Sequence, residues 1–216
     1  MKTEIVILDF DGTLGDTCRT IVSTMQATMK ELSLPVADEE ICIKTIGLSL
    51  QDVFFKLYPE LPAEQAEGYV ETYRRLFAEN KALIPPRLFP EVKETLKVLK
   101  ERGVLLTVAS SRSSASLGEL LDQLGISTYI SYVLGAESVR HAKPHPESVL
   151  KTLRENSVMP ECAWVVGDMP VDVQMGMDAG VRTIGVTYGN SSAEELRKAG
   201  ADRVIDCFSQ LLELIG

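Results

Sequence analysis

The segment Ile5-Val6-Ile7-Leu8-Asp9-Phe10-Asp11-Gly12-Thr13 constrains this chain more than any other. Four consecutive apolar residues predict a strand buried on both faces, the kind found inside parallel sheets. That strand runs directly into two carboxylates, separated by one residue, and a glycine. A strand interior does not tolerate unpaired charge, because a buried carboxylate without partners is strongly destabilising. Asp9 and Asp11 therefore belong where the strand opens, at its C-terminal end, which in open α/β sheets is where ligands bind. Two like charges so close repel unless a cation or a shared proton relieves them. The pair points to a metal-dependent active site.

The pattern beyond this strand divides the chain in two. As far as about Asn80 only helical periodicity is found: Met25, Met29 and Leu32 behind a Thr17 cap; Val53, Phe54 and Leu57 behind a Ser49 cap and ahead of Pro59; and Tyr69, Val70, Tyr73, Leu76 and Phe77. Gly15 and Pro85-Pro86 bracket this stretch, which reads as a helical insert on two hinges. From Pro90 strands and helices alternate. Strands are predicted at Val104–Ala109, around Tyr132–Leu134, at Ala163–Val166 and at Thr183–Val186, with helices between them and further helical turns to Ile215. Alternation of this kind implies a parallel sheet covered on both faces. The fold class expected is α/β, with a core of residues 1–15 and 87–216 and a helical cap of residues 16–86.

Parallel strands bring their C-terminal ends to one edge, so the residues after each strand converge. Asp9, Asp11, Gly12 and Thr13 follow the first, and Ser110, Ser111 and Arg112 the second. His141-Ala142-Lys143-Pro144 lies in the loop beyond the third, and Gly167, Asp168 and Asp172 follow the fourth. Carboxylates, a hydroxyl beside backbone N–H groups, and a lysine suit a phosphoryl group held near a hard cation. Mg2+ prefers oxygen ligands and keeps several waters, so Asp9, Asp168 and one backbone carbonyl would suffice. Lys143 can offset charge on a phosphoryl oxygen and on Asp9, and Ser110 with the Ser111 amide can donate to another oxygen.

Composition narrows the partners. A 216-residue chain with 45% apolar and 25% charged residues has globular proportions. The net charge of −9 disfavours nucleic acid, whose binding needs a cationic face. No run approaches the ~18 apolar residues of a membrane span, and the N-terminal apolar run is too short for a signal peptide. Cys18, Cys42, Cys162 and Cys207 form no CxxC pair and read as reduced thiols, so a cytoplasmic setting is expected. The sequence leaves monomer and homodimer both open.

These motifs, in this order, resemble those of the haloacid dehalogenase-like hydrolase superfamily, most closely its phosphoglycolate phosphatase-like branch. Asp9-Phe-Asp-Gly-Thr is similar to the first motif, Ser110 takes the hydroxyl position of the second, Lys143 the lysine of the third, and Gly167-Asp168-Met-Pro-Val-Asp172 the acidic fourth. The resemblance implies a three-layer Rossmann-like parallel-sheet core with a small all-helical cap inserted after the first strand. It also implies a Mg2+-dependent phosphatase acting on a small phosphorylated metabolite, phosphoglycolate-like, through an aspartyl-phosphate. Asp9 would attack phosphorus; Asp11 would protonate the leaving alcohol and then accept a proton from the hydrolytic water. Ser110 and Lys143 complete the implied catalytic set. Gly12, Thr13, Ser110, Ser111, Arg112 and Lys143 would bind the phosphoryl group. Asp9, Asp11, Asp168 and Asp172 would surround the metal, although Asp172, near a helix start, suits the macrodipole or the holding of Lys143 and the metal waters better than direct ligation.

Blander readings stand beside these. Asp168 and the serines from Ser110 to Ser114 suit helix caps, Lys143 an ordinary loop, and His141 and His145 a solvated one. Among functions, pyrophosphate hydrolysis would use the same core site. A sugar phosphomutase normally carries Glu-Asp where Gly167-Asp168 stands, and a cap arginine where Ser49-Leu50 stands; a dehalogenase normally lacks the second carboxylate. A non-enzymatic phospho-accepting signalling domain is near half this length and has no such insert. Arg19, Lys44 and Lys56 are candidates for a second anionic group of the substrate. Gly15 replaces the bulky apolar residue common at its position and is expected to loosen the hinge.

Overall fold

The computed structural model describes residues 4–216; residues 1–3, the beginning of the expected core, lie outside them. In chain order the elements are β1 (Ile5–Leu8), β2 (Gly15–Asp16), α1 (Cys18–Glu31), α2 (Glu39–Ile43), α3 (Leu50–Leu57), α4 (Gln65–Leu83), β3 (Arg87–Leu88), α5 (Val92–Glu101), β4 (Leu105–Ala109), α6 (Ser114–Gln123), β5 (Tyr132–Leu134), α7 (Glu147–Asn156), β6 (Ala163–Gly167), α8 (Pro170–Asp178), β7 (Arg182–Val186), α9 (Ala193–Lys198), β8 (Arg203–Ile205) and α10 (Leu211–Leu214).

Six strands form one sheet in the order β5-β4-β1-β6-β7-β8, and every pairing is parallel. The side chains of β1 alternate across it. Val6 and Leu8 pack among Leu96, Leu99, Leu117 and Leu211 on one face, while Ile5 and Ile7 pack with Val149, Leu153 and Met175 on the other. This is why the strand reads as a continuous apolar run: both of its faces are core. From β1 the chain builds outward to β4 and β5, then returns to place β6, β7 and β8 on the other side. The direction of winding reverses at β1, which opens a crevice beyond the C-terminal ends of β1 and β6.

Helices α1 to α4 carry an apolar cluster of their own, with Met25, Met29, Phe54, Tyr69 and Phe77 buried together. The segments that lead into and out of this helical insert are tied to each other: β2 and β3 pair antiparallel, Gly15 opposite Leu88 and Asp16 opposite Arg87. Ser49 caps α3 by accepting from the Asp52 N–H.

Two local expectations are corrected, and one further element carries no sequence signal. Residues after Val186 are not only helical: Arg203-Val204-Ile205 pairs with β7 as a sixth strand, too short to show a strand period. The five-residue α2 is likewise too short for an apolar stripe. Thr17 precedes α1 without a side-chain capping bond; its hydroxyl donates to Asp11 Oδ1 at 2.6 Å, a charge-assisted bond.

Candidate active site

The crevice is lined by strand ends. Asp9 follows β1 and is 5% exposed; its backbone N–H donates to the Val166 carbonyl of β6, which pins it to the neighbouring strand. Lys143 reaches it from the loop before α7, Nζ donating to Asp9 Oδ1 at 2.5 Å and to Asp172 Oδ1 at 2.7 Å. The lysine, predicted as a candidate from its loop position, its charge and the motif resemblance, is thus buried between two carboxylates. Asp172 sits in the first turn of α8, where its Oδ2 also accepts from the Met169 N–H. It therefore serves the helix start and holds Lys143 at once.

Asp168 follows β6 and is fully buried. Its Oδ2 accepts from the backbone N–H of Asn190 at 2.8 Å and from the Asn190 side chain at 2.7 Å; its Oδ1 receives only a long bond from the Thr13 hydroxyl, 3.5 Å. It does not cap α8. Gly12 makes this approach feasible: it sits at φ +89°, and a Cβ there would fall 2.1 Å from Asp168 Oδ2. Asn190 was absent from the sequence-based candidates. The rule that found the others also covers it, since Gly189-Asn190 lies just past β7 on the same rim.

Asp11 stands apart from these groups. The carboxylates that approach within 4.8 Å of one another are Asp9, Asp168 and Asp172. Asp11 instead pairs with Arg112, whose Nε lies 2.9 and 2.7 Å from its two oxygens and whose second guanidinium nitrogen is 2.7 Å from Oδ1. Asp11 thus stands outside that carboxylate group, and the Arg112 guanidinium is turned to it, a fork that matches a carboxylate.

Ser110 is buried, its oxygen accepting from the Arg112 N–H, while Ser113 caps α6. Ser111 donates at 2.6 Å to the carbonyl of Gly47 in the helical insert, so its hydroxyl spans the two parts of the molecule. Between sheet edge and insert lies a cavity of about 910 Å³, lined by Asp9, Asp11, Ser110, Arg112 and Lys143 below and by Ile21, Met25, Tyr73 and Phe77 above. Arg19, Lys44 and Lys56 do not line it. Arg74 and Lys81 do; they lie seven residues apart on α4, a heptad spacing in register with the lining residues Val70 and Phe77, and that spacing was the available signal. His141 and His145 are exposed, with ring centroids 4.4 Å apart, and Glu147 already accepts from two backbone N–H groups and His141 Nδ1.

Residues 6–186 match the family model described as haloacid dehalogenase-like hydrolase. The chain belongs to that family. Among its relatives, "Probable phosphatase IndB" of Dickeya dadantii is 37% identical over 96% of this chain and 91% of its own length. A phosphoglycolate phosphatase of Salmonella choleraesuis is 31% identical over 98% and 92%, and the pyrophosphatase PpaX of Oceanobacillus iheyensis 30% identical over 100% and 98%. Haloacid dehalogenase-like phosphatases generally use a divalent metal, and the buried trio fits one. Burial pushes the Asp9 carboxyl up to about 7 against the pull of Lys143, with Asp172 and Asp11 adding to the rise. Asp168 is raised well above the ordinary carboxylate range by burial and by Asp9 and Asp172, against the Asn190 bonds. Three buried acids facing one lysine are short of positive charge. The donors are all oxygen, as a hard cation requires.

Proposed function

We propose that this hydrolase is a Mg2+-dependent phosphatase that cleaves a small phosphate monoester through an aspartyl-phosphate on Asp9. The observation that supports this most is the Lys143 bridge between Asp9 and Asp172 beside Asp168. Lys143 leaves Asp9 Oδ2 without a hydrogen-bond partner among the described residues, and Asp168 Oδ1 is nearly as free. Those two oxygens are the ones that would hold Mg2+. Both Asp172 oxygens are already committed, so Asp172 acts through Lys143. The bound cation would supply charge neutralisation between the carboxylates and a phosphate dianion.

In this reading Asp9 forms a bond to phosphorus as the ester P–O bond breaks, and Asp11 gives its proton to the departing oxygen. Water then attacks phosphorus, loses a proton to Asp11, and frees Asp9 and inorganic phosphate. Ser110, with the N–H of Ser111, and Lys143 hold the phosphoryl oxygens, and Gly12 and Thr13 shape the turn beneath them. The helical insert, residues 16–86, is the cap that covers the pocket, and Arg74 and Lys81 face the distal part of the substrate. A reducing, cytoplasmic setting is in keeping with four free cysteines.

The test is a screen of metabolite phosphates with MgCl2, including phosphoglycolate, a hexose phosphate and pyrophosphate, run beside Asp9→Asn. Mg2+-dependent release of phosphate from a monoester, lost in the variant, is expected. Activity retained by Asp9→Asn removes the nucleophile. Turnover of pyrophosphate in preference to every monoester replaces this reading with the one suggested by the PpaX relative.

A further inference from the structure

On the cavity floor lies Arg112, a charged side chain to which the reaction above gives no role. Arg112 is almost buried, its side chain 10% exposed. Its guanidinium grips both oxygens of Asp11. Its backbone N–H donates to the Ser110 hydroxyl. Its guanidinium carbon lies 4.5 Å from the ring centroid of Phe77 on α4 and 5.9 Å from that of Phe10 after β1. We propose that Arg112 is the positioning residue for Asp11, and that Phe77 makes this positioning depend on the seating of the helical insert.

The argument is geometric. A carboxylate on a short side chain can rotate about its last bond, and a misaimed proton donor loses much of its effect. Here three donors fix the plane of Asp11: two guanidinium nitrogens from the loop after β4, and the Thr17 hydroxyl at the start of α1. Arg112 can hold that plane only while its own stem is held, and the flat guanidinium packs on one ring from the sheet and one from the insert. Cation–π contact of this kind strengthens away from water. Moving the insert outward takes Phe77 with it and leaves the guanidinium with one packed face.

The inference rests on the phosphatase reading, in which Asp11 passes its proton to the ester oxygen as the P–O bond breaks, leaving an alcohol and the Asp11 carboxylate. Arg112 then pairs with that carboxylate until water returns a proton to it. Leaving groups separate this role from others. p-Nitrophenolate departs without a proton, whereas an alkoxide does not. The readout is kcat/KM for p-nitrophenyl phosphate and for the best alkyl phosphate of the screen, since kcat/KM extends only to the first irreversible step.

Arg112→Ala and Arg112→Lys are expected to lower both values, the alkyl one by roughly ten-fold or more beyond the aryl one. The lysine variant keeps the charge but loses the two-pronged grip, and it serves if the alanine variant folds poorly. Asp11→Asn should shift the same ratio further, and adding Arg112→Ala to it should shift the ratio no more. Phe77→Leu should move the ratio in the same direction by a smaller factor. Equal losses on both esters, a rise in KM alone, or additive effects in the double variant overturn the proposal; an unchanged ratio in Phe77→Leu overturns the part played by the insert. Failure of the wild type to hydrolyse either ester, or activity in Asp9→Asn, would instead sink the phosphatase reading.

Discussion

Asp9 and Asp11 lie two positions apart on one loop and meet opposite partners, the one a lysine shared with Asp172, the other an arginine beneath the insert. That difference has a consequence measurable without substrate. The folded, metal-free chain keeps a proton on Asp9 up to about 7, whereas the ordinary carboxyl value is 3.8. Between those values the folded state binds more protons than the unfolded state, so stability falls as pH rises through that window and levels off above it. A divalent cation held there would require the carboxylate and displace the proton. The rise in Tm on adding MgCl2 should therefore grow as pH increases towards about 7 and then flatten, as followed by thermal melts with and without the salt. A rise independent of pH, or one that shrinks over that range, would place the cation elsewhere. Removing Lys143 should lower Tm far more than removing a surface lysine, because the buried Asp9 Oδ1 and Asp172 Oδ1 would both lose their donor.

At the scale of elements, the sheet positions chemistry and the insert covers it, and each has its own apolar cluster. Phe54 is the centre of the insert's cluster: it is fully buried, with Tyr58 and Tyr69 rings 5.6 and 5.7 Å away. Truncating a buried aromatic in such a setting costs about 3–5 kcal/mol. Phe54→Ala should therefore loosen α1, α3 and α4 while the six-stranded sheet stays protected. Hydrogen exchange followed by peptide mass analysis reads this directly. Loss of protection spread evenly over β1, β4 and β6 would mean that insert and sheet unfold as one unit.

For the whole molecule, insert and sheet meet at the paired strands β2 and β3, at the Ser111–Gly47 bond, at the Lys81–Glu119 ion pair and at Arg112 over Phe77. Gly15 lies in that joint. A side chain there would press on the Phe10 ring at 3.1 Å and on the Thr17 methyl at 3.3 Å, and Thr17 holds Asp11. Gly15→Val should change kcat and KM together by several-fold, as expected of a hinge substitution; steady-state kinetics that match the wild type would exclude a hinge role for this joint. The sequence determined the sheet, the helical insert and the rim on which Asp9, Ser110, Lys143 and Asp168 stand, because burial writes a period into each element and parallel strands must end on one edge. Three-residue β8 and five-residue α2 left no such period. Only the tertiary structure decided who pairs with whom: that Arg112 takes Asp11, that Asn190 serves Asp168, and that Arg74 and Lys81 rather than Arg19, Lys44 and Lys56 face the cavity. Periodicity reports which face of an element is buried, whereas a hydrogen bond between residues a hundred positions apart depends on distances that exist only once the chain has closed on itself.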